Sequence, residues 1–362
     1  MRNRFHALCP YFAMFPETFA EMWIERLTKP GDVVLDPFCG RGTAPFQALL
    51  MERAAIGNDI NPVAYCLTKA KLGAPVLTSV LRRVRDLQAG FEARSWEAPR
   101  RSLPPFFHVA FSRATARELL YLRDRLQWRT SRVDAMIAAL TLGSLHGESE
   151  RYDTYLSNQM PRTISTKPEY SLRYWERHGY SAPDRDAFDL LRNRAKYRYE
   201  SEISSGETRV FNLDMRELSR VKMTRRAQCV ITSPPYLNVT DFGEDQWLRV
   251  WFLGGEPRPT RGVISRDDRH RGPNTYWRLI ADMWRMLAAV TTPEGHVVVR
   301  LGGQRLDPKQ LVSALAGASK VSPRPVRMVE HSVSEIARRQ TDAFRPGTTG
   351  CRYEVDAVFS IA

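Results

Sequence analysis

Thr-Ser-Pro-Pro-Tyr at positions 232–236 carries the most specific chemistry in this chain. It follows QCVI, a short apolar run that reads as a buried strand. Two prolines stiffen the turn and remove two N–H donors, while both carbonyls remain acceptors. The Ser233 hydroxyl and the Pro234 carbonyl can then accept both hydrogens of one exocyclic NH2 group. The Tyr236 ring can stack on the face of a base. An amino group held in this way turns its nitrogen lone pair toward a methyl donor.

A second constellation lies about two hundred residues earlier, in VVLDPFCGRGT, residues 33–43. In an open parallel sheet, ligands bind beyond the carboxyl ends of the strands. Gly40 and Gly42 let the backbone approach such a ligand with no Cβ in the way. The stretch is not GxGxxG, and no Gly-Lys-Ser/Thr follows, so a nucleotide pyrophosphate is not indicated. Asp36 ends the strand and suits a ligand carrying an ammonium and a sulfonium better than a phosphate. Asp59 ends the next strand, where an acid can accept both hydroxyls of a ribose. Asp214 ends the third and can accept from an adenine amino group. Each of these acids alone reads equally well as a turn cap; three at successive strand ends form a pattern.

The elements that must position these residues divide the chain by texture. Residues 17–70 read helix, strand, glycine turn, helix, strand, helix: PETFAEMWIERL, GDVVLDPF, GTAPFQALLMER, AAIGNDI and NPVAYCLTKAKL. From about 208 the alternation resumes with RVFNLD, QCVITSPPY, the helix NTYWRLIADMWRMLAAV, GHVVVRLGG, the helix DPKQLVSALAGAS, PVRMVEHS and YEVDAVFSIA. This predicts about seven strands in a mostly parallel sheet, the last two an antiparallel pair at its edge. Between 72 and 206, helical patterns alternate with stretches rich in Tyr, Trp and Arg, such as YLSNQMPRTISTKPEYSLRYWERHGY. That mixture stacks on bases and grips phosphates, although any single aromatic there reads as core. GGEPRPTRGVISRDDRHRGPN, 254–274, reads as a polar lid or DNA-contacting loop, or as plain surface loop.

Composition narrows the partners. The net charge of +14 over 362 residues favours a polyanion, nucleic acid first. None of the five cysteines forms a CxxC pair and no zinc spacing appears, which excludes a disulfide framework and fits a reducing cytosol. Prolines interrupt the short apolar run at the start, which is not read as a signal peptide, and no segment has the length of a membrane span.

DPFCGRGT and TSPPY together resemble the cofactor and catalytic loops of the DNA amino-methyltransferases, with Ser before Pro-Pro-Tyr resembling the N4-cytosine type. CPYFAMFPETF and FNLDMREL look familial as well. The resemblance implies a Rossmann-like class I methyltransferase with a mostly parallel seven-stranded sheet. Residues 1–71 and 207–362 would form its catalytic domain, and 72–206 an inserted, mainly helical target-recognition region. It further implies S-adenosyl-L-methionine as cofactor, held by Phe15, Asp36, Phe38, Gly40, Gly42, Thr43, Asp59, Ile60 and Asp214. Ser233, Pro234, Pro235 and Tyr236 would hold a flipped base, with no metal. Double-stranded DNA is the implied partner, a cognate restriction endonuclease is compatible with it, and a prokaryotic cytoplasm is the implied location. The alternatives are an N6-adenine DNA enzyme, since some SPPY enzymes act on adenine, and an RNA base amino-methyltransferase.

Overall fold

The computed structural model describes residues 2–11, 14–147, 154–159, 167–202, 204–237, 242–260, 272–302, 306–336 and 351–362. Two compact units emerge. One comprises residues 12–68, 204–240 and 265–362; the other comprises 1–11, 69–203 and 241–264.

The first unit is built on a seven-stranded sheet. Its strands are β1 (Val33–Asp36), β2 (Ala54–Asn58), β3 (Thr208–Phe211), β4 (Ala227–Thr232), β5 (Thr291–Gly302), β6 (Val326–Glu335) and β7 (Tyr353–Ile361), in the order β3-β2-β1-β4-β5-β7-β6. Pairing is parallel from β3 through β5, and β7 runs antiparallel to both β5 and β6. This is a mostly parallel, Rossmann-like seven-stranded sheet, as the sequence leads one to expect. The expected antiparallel pair is present, and β7 is its inner member, between β5 and β6. Every residue of β1 and β2 is buried, which explains why both segments are apolar up to their terminal Asp36 and Asn58 rather than alternating.

Helices α1 (Glu17–Leu27) and α2 (Thr43–Leu50) belong to this unit, and α3 (Pro62–Leu72) begins in it. A much longer helix, Pro273–Val290, lays Tyr276, Ile280, Met283, Trp284 and Leu287 along one apolar face into the core formed with Val297, Val299 and Phe359. The Trp284 and Phe359 rings meet edge to face at 4.7 Å. Strand order reverses at β1, with β2 on one side and β4 on the other. That is the switch point where open α/β sheets place ligands, and both motif loops leave the sheet there.

The second unit is helical. Its main helices are α4 (Leu77–Ala89), α5 (Glu97–Arg101), α6 (Pro105–Ala110), α7 (Arg113–Arg125), α8 (Arg132–Leu142), α9 (Pro168–His178), α10 (Ala187–Arg198), α11 (Phe242–Asp245) and α12 (Trp247–Phe252). Residues 134–142 of α8 are buried without interruption. The unit takes in two segments that sequence texture assigns to the sheet domain. Residues 241–264 enter it because Trp247 and Trp251 pack on Phe106 and Phe107, at 5.1 and 4.5 Å. Within the same core, the buried Arg249 donates to the Leu142 carbonyl and to Gln246. Residues 1–11 enter it through Phe5 edge-on to Tyr199 at 5.0 Å and the Arg4 guanidinium 4.2 Å over Tyr197. Most of the polar loop at 254–274 lies outside the described residues.

All five cysteines are buried and unbridged. Among the described residues, no helix is long and apolar enough to cross a membrane, and no His, Cys, Asp and Glu group can hold a metal ion.

Candidate functional site

At the carboxyl end of β1 the chain makes a tight turn before α2. The Phe38 N–H returns to the Asp36 carboxylate, and the Gly42 N–H to the Cys39 carbonyl at 2.7 Å. Gly40 and Gly42 have φ of 50° and 75°, the left-handed region that favours glycine. Gly42 is the N-cap of α2, and a Cβ there would sit 2.6 Å from Thr68 Oγ1. Thr68 in turn donates to the Gly40 carbonyl at 3.2 Å.

Polar side chains stitch this turn to its neighbours. The Asp59 carboxylate, after β2, accepts from Gly40 N–H at 2.8 Å and from Asn61 N–H at 2.9 Å. Asn58, 1% exposed, donates to the carbonyls of Pro37 and Leu213 and accepts from Leu213 N–H. It thereby ties together the ends of β1, β2 and β3. Asn212 donates to the carbonyls of Asp59 and Ile60. At the end of β4, the Thr232 hydroxyl donates to Asp36 at 2.6 Å, joining the glycine turn to the Ser-Pro-Pro-Tyr loop.

Burial acts on both acids. It pushes Asp36 up to about 7 and Asp59 up to about 6, against the lowering effect of their hydrogen bonds. A raised carboxylate binds its proton in the folded state first. Its stabilising contribution is therefore complete below about pH 4 and is lost as pH rises through 6 to 7.

Tyr236 is the loop's anchor. Its ring is 7% exposed and lies against Gly302, where an added Cβ would come within 2.7 Å of it. Its hydroxyl donates to Glu354 of β7 at 2.9 Å and lies beside Ser233. Arg300 of β5 grips Asp356 with two bonds of 2.6 and 2.7 Å, reaches Glu354 at 3.3 Å, and stacks 3.9 Å over the Phe19 ring. Ser233 and Pro235 are half-buried and Pro234 is buried. The Ser233 hydroxyl oxygen offers lone pairs as acceptors.

Of the other residues expected here, Thr43 is buried at the start of α2, and its hydroxyl has no hydrogen-bond partner among the described residues. Phe38 and Ile60 are half-buried beside the turn. Phe15 is buried against Phe19 at 5.0 Å, while Phe12 and Ala13 of the same element lie outside the described residues. Asp214 caps a short 3-10 turn, and both of its oxygens are engaged by Arg216. The sequence assigns no role to Asn58, Asn212, Glu354 or Arg300, and Thr232 enters it only as the first residue of its motif; Thr232 aside, the site gains Asn58, Asn212, Glu354 and Arg300. The one sequence signal for the last two is charge inside apolar strands: Arg in VVVRLG, Glu and Asp in YEVDAVFSI.

Residues 2–70 match the DNA methylase family. The Type II methyltransferase M.MjaII of Methanocaldococcus jannaschii is 34% identical over 67 residues, which is 18% of this chain and 13% of that protein. The Type II methyltransferase M.Cfr9I of Citrobacter freundii is 42% identical over 52 residues, 14% of this chain and 17% of that protein. The orphan methyltransferase M.BamHII of Bacillus amyloliquefaciens is 44% identical over 54 residues, 15% of this chain and 20% of that protein. The chain thus spans a fifth or less of the length of these relatives.

Proposed function

We propose that this protein is an S-adenosyl-L-methionine-dependent DNA methyltransferase acting on N4 of a flipped cytosine. The observation that carries the reading is the Asp36–Thr232 hydrogen bond, which sets the glycine turn and the Ser-Pro-Pro-Tyr loop side by side at the switch point of the sheet. The matched stretch, 2–70, contains the glycine turn, Asp36 and Asp59.

The residues fit the cofactor. Gly40 and Gly42 shape the turn, Thr43 offers a buried hydroxyl, and the carboxylates of buried Asp36 and half-buried Asp59 complement a ligand with an ammonium and a sulfonium. S-adenosyl-L-methionine supplies an electrophilic methyl group on sulfur. Asp36 and Asp59 hold the binding turn in shape, and Asp59 would hold the ribose. Phe15, Phe38 and Ile60 would wall the site, and Asp214 would lie near the adenine.

Ser233 and the Pro234 carbonyl accept the two hydrogens of the target amine, drawing its lone pair out of conjugation and toward the methyl carbon. Ser233 and Pro234 would hold the amine while the bound cofactor supplied the methyl group, and the methylated nitrogen would then release one proton to water. Catalysis rests on positioning and on acceptors fixed before the reaction. Tyr236 contributes by anchoring the loop beside Ser233. Double-stranded DNA is the substrate, its backbone gripped by the positive surface, with the helical region around 72–206 reading bases. A base pair buries its amino group, so the target must leave the stack.

The test is direct. Purified protein is incubated with the cofactor and unmodified mixed-sequence DNA, and the digested nucleosides are analysed by mass spectrometry. N4-methylcytosine is expected, with loss of at least about a hundredfold in Ser233→Ala. N6-methyladenine in its place would reassign the base, and methylation of RNA alone would reassign the substrate.

Cofactor binding should also depend on pH. A cationic ligand favours the ionised carboxylates, so affinity should rise as pH climbs through 6 to 7, by about tenfold for each unit of depression at Asp36 or Asp59. Calorimetry in buffers of different ionisation enthalpy should register proton release near pH 6.5. Affinity that stays flat from pH 5 to 8 would remove both carboxylates from the binding energetics.

A further inference from the structure

Helix α9 displays an aromatic ladder on its outer face. Tyr170, Tyr174 and His178 follow one another at four-residue spacing, the spacing that aligns side chains along one helical face. Tyr170 and Tyr174 stack with centroids 6.2 Å apart and planes 22° apart, and Tyr174 and His178 at 4.3 Å and 36°. The His178 Nδ1–H donates to the Tyr174 carbonyl and fixes that ring. Gly179, with φ of 64°, then turns the chain so that Tyr180 joins the group, 5.3 Å from His178 and 6.0 Å from Tyr174.

This ladder is not the helix's packing face. Ser171 and Trp175 fill that role, with Trp175 1% exposed and 5.5 Å from Phe106. On the opposite flank, Arg173 and Arg177 form an exposed stripe, with Glu169 and Glu176 beyond it. Tyr170 is 42% exposed, His178 is exposed, and Tyr174 and Tyr180 are half-buried. The tryptophans and phenylalanines of this unit's core, in contrast, are buried. A row of aromatic rings left at the surface beside two guanidiniums fits one class of partner well: planar bases on the rings and phosphates on the arginines.

We infer that the outer face of α9, Tyr170–Tyr174–His178 with Tyr180, flanked by Arg173 and Arg177, is a stacking surface for unpaired bases of a nucleic-acid strand. The inference rests on the nucleic-acid reading above but not on methyl transfer, and it names where in the helical unit a strand binds.

The experiment measures cofactor-free binding of the whole protein to a labelled single-stranded oligonucleotide, and to an abasic strand of the same length. Wild type should prefer the base-bearing strand. Tyr170→Ala/Tyr174→Ala should weaken binding to it by at least about tenfold and erase the preference, while Tyr170→Phe/Tyr174→Phe retains both. Arg173→Ala/Arg177→Ala should weaken both strands alike and flatten the salt dependence by one to two units of slope, roughly. Equal wild-type binding to the two strands, or Ala variants that bind like wild type, overturns the stacking surface even if DNA is methylated. Conversely, a strong preference with no methylated nucleoside leaves the surface standing and removes the methyltransferase reading.

Discussion

Alanine at position 42 should abolish measurable cofactor binding and lower the thermal midpoint of the protein by several degrees. Two costs act together. The first is conformational: with φ of 75°, a residue with a Cβ loses about 1–2 kcal/mol in this left-handed region. The second is steric. The new carbon would lie 2.6 Å from Thr68 Oγ1, 3.0 Å from its Cγ2 and 3.1 Å from its Cβ. Thr68 has nowhere to go, because it is fully buried and its hydroxyl holds the Gly40 carbonyl. Relief must therefore come from the turn itself, which is the proposed binding surface. Calorimetric titration with the cofactor and a thermal melt check this together. Adding Thr68→Ala should restore part of the stability by removing the clash, while the backbone cost remains. Wild-type affinity in Gly42→Ala would mean that the turn is not where the cofactor binds.

Gly302→Ala should separate catalysis from cofactor binding. Here glycine is required by proximity, since a Cβ would approach Tyr236 Cε2 to 2.7 Å, its Cδ2 to 2.9 Å and Cys351 Sγ to 3.3 Å. Strand β5 is paired on both sides, to β4 and β7, and cannot shift to make room. The Tyr236 ring must move instead, dragging its hydroxyl off Glu354 and disturbing the neighbouring Ser233. Displacement of the order of 1 Å at a positioning group lowers rate by about a hundredfold. Turnover should fall by that amount while cofactor affinity stays within about threefold of wild type, because none of the contacts at the glycine turn is touched. Steady-state turnover beside a cofactor titration decides it. Turnover within a few-fold of wild type would show that the tyrosine ring does not set the geometry of the loop.

Sequence alone reveals those parts of this site that are local. The apolar strand, the glycines and the helix start are neighbours in the chain, so VVLDPFCGRGT announces a strand, a turn and a helix without outside help. The same holds for QCVITSPPY. What stays hidden is whatever depends on a distant partner. Asn58 and Asn212 look like ordinary strand-end residues until the ends of β2 and β3 bring carbonyls within reach. Thr232 reads as the last residue of a strand, and only the pairing of β4 with β1 sets it beside Asp36. The position of β7 between β5 and β6 is likewise decided by long-range pairing. Trp247 and Trp251 stand four residues apart in the chain, and only the structure shows the core that buries them. Tyr236 belongs to both kinds: its place in the motif is plain, while the packing of its ring against Gly302 and its bond to Glu354 come from strands more than sixty residues away.

The cysteines give each unit its own reporter. Cys9 is the one thiol of the helical unit, and Cys39, Cys66, Cys229 and Cys351 all lie in the sheet unit. None is presented to solvent in the folded chain, so an alkylating reagent can react only as fast as the surrounding structure opens. Mass spectrometry of partially labelled protein would then time the two openings separately in one sample. A ligand that binds the glycine turn should slow labelling at Cys39, which lies inside that turn, and leave Cys9 to follow the helical unit alone.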